Sequence, residues 1–310
     1  MTTVSIEEEF LMNAVPNANL FSKLQEIMPT LSKGHKKIAE YIMTTYDKAA
    51  FMTASKLGAI VGVSESTVVR FATELGFEGY PELQRALKEY TSNRLTTVQR
   101  IDVMHDQIGG NDVYEKILNM DIDKIRKTLE EGDREEFYRT VDTLCGAKNI
   151  YVIGARSAAV LARFLSFYFT MMFDNVKLVH TTSTSEMFEQ ILNIGENDIM
   201  IGISFPRYSR HTVQAFRYAS AQGAKVIAIT DSKASPLAAY ADNILLARSD
   251  MVSFADSLVA PMSVINALIV AVGLRKSDYV IKNYERLEAI YDEYEVYERS
   301  DDDDSDKGDA

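Results

Sequence analysis

The hydrophobic positions change period near Lys148. Before it they recur at three- and four-residue spacing, as one face of a helix requires. Ile38, Tyr41 and Ile42 form one such stripe, and Ser32 stands ahead of it as an N-cap. The pattern predicts helices over Thr53 to Val61 and over Ser64 to Leu75, the second ended by Gly76. Further helix is predicted over Asp112 to Ala147, broken near Gly132. After Lys148, short β-rich runs alternate with apolar-periodic helices. Strands are predicted at Ile150 to Ile153, Val176 to His180, Ile199 to Ile203, Lys225 to Thr230 and Asn243 to Ala247. Between them lie predicted helices at Ala155 to Phe173, Ser185 to Leu192, Ser209 to Gln222 and, shorter, Ser235 to Tyr240. Asp256 to Leu274 and a charged stretch near Tyr279 to Glu298 complete the set. Strands alternating with helices imply a parallel sheet covered on both faces, with ligands at the carboxyl ends of its strands. The expected fold class is α/β: an all-α head over residues 19–95, a helical connector over 96–147 and a doubly wound parallel-sheet domain over 148–299. An acidic tail over 300–310 is too polar to bury anything and is expected to be disordered.

Two stretches carry candidate chemistry. Ala54 to Leu75 has the layout of a helix-turn-helix: Ala54 and Leu57 inward, Ile60 and Val61 closing the first helix, Gly62 in the turn and Val63 plugging the core. Ser64 caps the second helix, whose buried stripe is Val68, Phe71 and Leu75. Its outer face offers Ser64, Glu65, Ser66, Thr67 and Arg70, short polar groups and one guanidinium suited to a major groove. The second stretch is a set of loops at predicted strand ends: Gly154-Ala155-Arg156-Ser157, then Ser204 to Arg210, then Thr230-Asp231-Ser232. Hydroxyls and backbone N–H groups at helix N-termini make an anion site. Arg156, Arg207 and Arg210 can add charge-assisted contacts. Each serine alone is equally well a helix cap; three loops at one sheet edge favour a pocket lined by Arg156, Ser157, Ser204, Arg207, Ser209 and Thr230. His180, His211, Glu186 and Glu189 are the acid–base candidates, although a lone histidine is more often structural. No GxGxxG, Walker loop, paired cysteine or HExxH is present, and no cofactor or metal is expected.

Composition fits an ordinary globular chain, with 310 residues, 46% hydrophobic and 25% charged. Cys145 is the single cysteine, so no intramolecular disulfide can form and a reducing compartment suits the chain. The first residues lack the basic flank and apolar core of a signal peptide. The longest apolar run, Leu258 to Val272, contains Pro261, Ser263 and Asn266 and is shorter than the ~20 residues a bilayer span needs. A cytoplasmic protein without membrane contact is expected. The net charge of −12 argues at first against a polyanionic partner. Its distribution weakens that argument. Tyr284 to Ala310 holds 12 acidic and three basic side chains, a net −9, whereas Asn19 to Leu95 holds ten basic and eight acidic ones, a net +2. Asp301 to Asp304 could serve as a metal or protein tag, but a solvated tail is the expectation.

Taken together, Leu31-Ser32, the run VSESTVVRFATELGFEG from Val63, Gly154 to Ser157, Ile203 to Ser209, Ile229-Thr230-Asp231 and Ser235 to Ala238 resemble the RpiR/MurR family of bacterial transcription regulators. The resemblance covers about Leu20 to Lys276. It implies an N-terminal helix-turn-helix followed by a sugar isomerase (SIS) domain that binds a phosphosugar effector, usually as a dimer or tetramer on a palindromic double-stranded DNA operator. Two departures stand out. The usual SIS loop Ser-x-Ser-Gly-x-Thr is matched at its ends by Ser204 and Ser209, with Pro206 and Arg207 in place of the central Ser-Gly. The usual Gly-x-Gly-x-Ser loop would place its serine at Ala158, and Ser157 comes one position early. Arg156 or Arg207 then replaces lost donors, and a phosphorylated sugar acid joins the phosphosugars as an expected ligand class. The alternatives are an aldose–ketose phosphosugar isomerase with an accessory helical domain, and a phosphosugar-binding adaptor without DNA contact.

Overall fold

The computed structural model describes residues 18–92, 94–108, 112–180, 182–249 and 255–297. The readings of the N-terminal stretch and of the 300–310 tail lie outside these residues.

The head is built from α1 (Ala18–Ile27), α2 (Lys33–Thr44), α3 (Tyr46–Ala49), α4 (Ala54–Val61), α5 (Glu65–Glu74) and α6 (Tyr80–Ser92). The predicted stripes converge on one core. Leu24, Ile38, Ile42, Leu57, Val68, Phe71, Leu75, Leu83 and Leu87 are all buried in it. Ser32 caps α2 by accepting a hydrogen bond from the His35 N–H, Thr53 caps α4 and Ser64 caps α5. Ile60 differs from expectation: it is exposed, because it falls on the solvent side of α4.

A linking helix, α7 (Thr97–Ile108), leads to α8 (Val113–Glu131) and α9 (Arg134–Cys145). Gly132 and Asp133 separate the last two, and Asp133 caps α9. Then follow β1 (Asn149–Gly154), α10 (Ala158–Phe169), β2 (Val176–Val179), α11 (Thr184–Ile191), β3 (Asp198–Ile203), α12 (Arg210–Ala221), β4 (Lys225–Thr230), β5 (Asn243–Leu246), α13 (Val259–Arg275) and α14 (Ser277–Glu293). The five strands are parallel in the order β2-β1-β3-β4-β5. Helices cover both faces. Ile150, Val152, Ile199, Ile201 and Ile227 face the layer that holds α10 and α13; Ile153, Met200, Val226 and Ala228 face α11 and α12.

Two expectations need correction. The helix predicted from Ala155 begins only at Ala158, because Arg156 takes a left-handed backbone (φ 56°) that no helix continues through. The segment expected to connect the domains is also more than a connector. Val141 and Leu144 of α9 belong to the sheet core, and α8 and α9 both pack on α13. In the chain, α7 lies between the head and these elements. No single described helix is long and apolar enough to cross a membrane.

Candidate functional site

The first site is the α4–α5 corner. Gly62 ends α4 in a left-handed conformation (φ 76°), and both its N–H and that of Val63 reach the Gly58 carbonyl at 2.9 Å. Gly58, which sequence reasoning did not name, is where the two helices meet: a Cβ there would lie 2.8 Å from the Val63 carbonyl oxygen. Ser64 Oγ accepts from the Thr67 N–H at 3.3 Å and shares hydrogen bonds with Ser66 Oγ and Thr67 Oγ1. Ser64 and Thr67 therefore build the start of α5, and Thr67 packs half-buried beneath Gly34. Glu65, Ser66 and Arg70 remain exposed, with Arg70 Nε donating to the Ser66 carbonyl at 3.4 Å. The same packing brings the first turn of α2, with exposed Lys33 and Lys37, beside the start of α5. The run Lys-Gly-His-Lys-Lys was the available signal for these lysines; its proximity to α5 exists only in three dimensions.

The second site lies where the strand order reverses, between β1 and β3, which is where doubly wound sheets hold ligands. A recess of about 60 Å³ opens there. The loop after β1 supplies Arg156 and Ser157; the loop after β3 supplies Ser204, Arg207 and Ser209. Ser209 caps α12, and Ser204 Oγ accepts from the Ser209 N–H at 3.1 Å, so these serines hold the loop as well as line the recess. Thr230, expected here, is absent from the lining. It is fully buried at the end of β4, its hydroxyl donating to Asp231, which also accepts from Tyr208 Oη at 2.8 Å. Burial, reinforced by the Asp231 carboxylate, holds the Tyr208 phenol well above its ordinary range. Arg210 is exposed at the start of α12 and does not reach the recess. The acid–base candidates are elsewhere too. His211 Nε2 pairs with Thr184 Oγ1 at 3.1 Å, the Glu186 carboxylate accepts from Thr182, and His180 and Glu189 are exposed.

Two further groups line the recess that the strand-end pattern did not indicate. Asp256, just before α13, accepts from Ser157 Oγ at 2.8 Å. Arg100, from α7, donates Nη1 to Asp256 at 3.0 Å and is 7% exposed. Burial pulls the Arg100 guanidinium below its ordinary value; Asp256 opposes this, while Arg207 and Arg156 add to it. The recess is thus a cationic concavity, three guanidinium groups around one carboxylate, fitted to an anion.

Comparison with known proteins bears on both sites. Residues 18–94 match the family model described as a helix-turn-helix domain of the rpiR family, and residues 143–271 match the SIS domain model. An uncharacterised HTH-type transcriptional regulator of Clostridium perfringens is 24% identical over 68% of this chain and 75% of its own length. The sugar isomerase domain of an RpiR transcription factor from Sphaerobacter thermophilus superposes with a TM-score of 0.55 at 26% identity, covering 58% of this chain and 99% of that one. NanR of Vibrio vulnificus, solved with ManNAc-6P, has the same fold, with a TM-score of 0.55 at 21% identity over 87% of this chain and 97% of its own.

Proposed function

We propose, from the premise that this chain belongs to the rpiR family of helix-turn-helix transcriptional regulators with a SIS domain, that its recess senses a phosphosugar or phosphorylated sugar acid and that the ligand alters operator binding by a dimer of heads. One observation carries the effector reading: Arg100, Arg156 and Arg207 converge on a concavity at the β1/β3 switch point. A phosphate monoester, with about −1.5 to −2 charges at neutral pH, matches that field. Arg156 and Arg207 take the phosphate oxygens, and Ser157, Ser204 and Ser209 add donors from the two loops.

In the head, Glu65, Ser66 and Arg70 read base edges. Ser64 and Thr67 position the helix start, and Lys33 and Lys37 meet phosphates as the neighbouring helix crosses the DNA backbone. The packing supports a division into a head to residue 95, α7 as the link, and α8 onward with the sheet. A cytoplasmic location suits a regulator that must meet its operator.

Sensing is favoured over turnover because His180, His211, Glu186 and Glu189 all lie outside the recess lining, and its one lining carboxylate, Asp256, is engaged by Arg100 and Ser157. An isomerase needs a free base at the sugar carbonyl. The test is a thermal-shift screen of phosphosugars, ManNAc-6P among them, and of phosphorylated sugar acids. Ligand at 100 times its Kd stabilises the folded state by about 2.7 kcal/mol, a clear rise in melting point. No shift with any of them sinks the sensor reading. Interconversion of an aldose and ketose phosphate by the purified chain sinks the non-enzymatic one.

A further inference from the structure

The helix that joins head to sheet domain puts its own charge into the recess. Thr96 and Gln99 fix the start of α7 reciprocally: the Gln99 N–H donates to Thr96 Oγ1 at 3.3 Å, and the Thr96 N–H donates to Gln99 Oε1 at 3.0 Å. Arg100 follows directly. Its Nη1 is held by Asp256, while its Nε is buried and has no hydrogen-bond partner among the described residues. A buried guanidinium N–H left unpaired is costly, so this donor calls for a partner. On the same short segment the Leu95 carbonyl accepts from Arg207 Nη1 at 3.4 Å, and buried Leu95 and Val103 pack against Phe51 of the head. The segment 95–103 is thus clamped between the effector recess and the DNA-reading domain.

We propose that Arg100 is an effector-binding residue, contributed by the linking helix, and that Asp256 is an internal anion competing with the ligand phosphate for it. This rests on the phosphosugar reading above. With Asp256 in place the recess carries a net charge of about +2 from its lining side chains, enough for one phosphate dianion. The phosphate takes the Arg100 guanidinium together with Arg156 and Arg207, and loosens the grip of Asp256 on Nη1. Arg100 moves with α7, and α7 is packed on the head, so ligand and head orientation share one element. A ligand shifts such an equilibrium only through contacts that differ between its states, and the Arg100 contact is one.

The test uses the full-length chain, with inorganic phosphate and glucose 6-phosphate as calorimetric probes and glucose as the neutral control. Arg100→Gln weakens binding of both phosphates at least tenfold. Asp256→Asn tightens it severalfold. Arg100→Gln combined with Asp256→Asn restores a neutral pair and stays weak, and its melting point without ligand shows that the fold is kept. Hydrogen exchange over residues 97–108 changes on adding glucose 6-phosphate to the wild type and not to Arg100→Gln. Wild-type affinity in a folded Arg100→Gln chain overturns the assignment and leaves the phosphosugar reading standing, as does weaker binding by Asp256→Asn. A wild-type chain that binds neither phosphate overturns the assignment, and one that also binds no compound of the thermal-shift screen overturns the phosphosugar reading with it.

Discussion

Arg70 and Lys37 sit on adjoining helices of one face yet should fail in different ways. Replacing Arg70 with alanine removes a candidate base contact. It should cost about 1–3 kcal/mol in operator affinity and relax sequence preference at one position, measured by gel shift at fixed salt against operator variants. Lys37→Ala should instead weaken binding to all sequences alike and reduce the slope of log affinity against log salt by about 1. An Arg70→Ala protein with unchanged affinity and preference would remove α5 as the reader. Gly58→Val forces a side chain against the Val63 carbonyl, which a Cβ alone would approach to 2.8 Å, so the α4–α5 corner must open. Overpacking of this kind costs about 1–3 kcal/mol, read as a lowered melting temperature with operator binding lost in parallel. Ser32, Ser64 and Gly62 were legible because capping and left-handed turns are decided within a few residues of chain. Arg100 was not, since nothing in the pattern around it marks a contact with Asp256, 156 residues away. Thr230 misled because the strand-end rule applies to every strand, whereas the recess that Arg156 and Arg207 line lies beside the β1/β3 reversal.

Among the elements, α9 shows how a helix that looks like a connector becomes part of a sheet domain. Glu136 Oε1 accepts from the Ile244 N–H at 3.0 Å and from Asn243 Nδ2 at 3.0 Å, so α9 caps the open edge of β5. An uncovered edge strand is a site of unwanted pairing, and here a carboxylate closes it. Glu136→Ala leaves those donors without their partner at a partly buried position. The expected loss is about 1–3 kcal/mol of unfolding free energy in urea, with DNA binding by the head unaffected. Equal stability of the variant would mean that water replaces the carboxylate there. The strands follow from β-rich runs alternating with helices, so this half of the fold was readable within a residue or two at most ends, whereas the order β2-β1-β3-β4-β5 came only with the structure. That α8 and α9 join it was not readable, because an amphipathic stripe shows that a helix has an inner face without naming the surface it covers.

Across the whole molecule, charge and exposed apolar surface argue for the same assembly. The head carries only +2 and the stretch from Tyr284 carries −9, so one head has little general attraction for DNA, and the proposed dimer would add affinity by making its specific contacts twice. Two heads on linked half-sites gain an effective concentration that can raise affinity by about 10²–10⁴ over one head. The surface for that link is available on α10, where Val160 and Phe167 are 60% and 66% exposed, and on neighbouring α13, where Val270 and Leu274 are 60% and 74% exposed. These four side chains stand outside the packed core, and isologous pairing of the α10 and α13 faces would bury them in a two-fold dimer. Phe167→Glu with Leu274→Glu places carboxylates on that surface without touching the core. Light scattering should then fall from twice the 34.8 kDa chain mass toward the mass of a single chain. Operator affinity should drop at least a hundredfold, while the melting point and phosphosugar binding stay near wild type. A double variant that keeps the mass of a dimer would move the interface to another face. One that becomes monomeric and still binds the operator at full strength would show that a single head suffices, and the weak charge of that head would then need base contacts beyond Glu65, Ser66 and Arg70 to explain it.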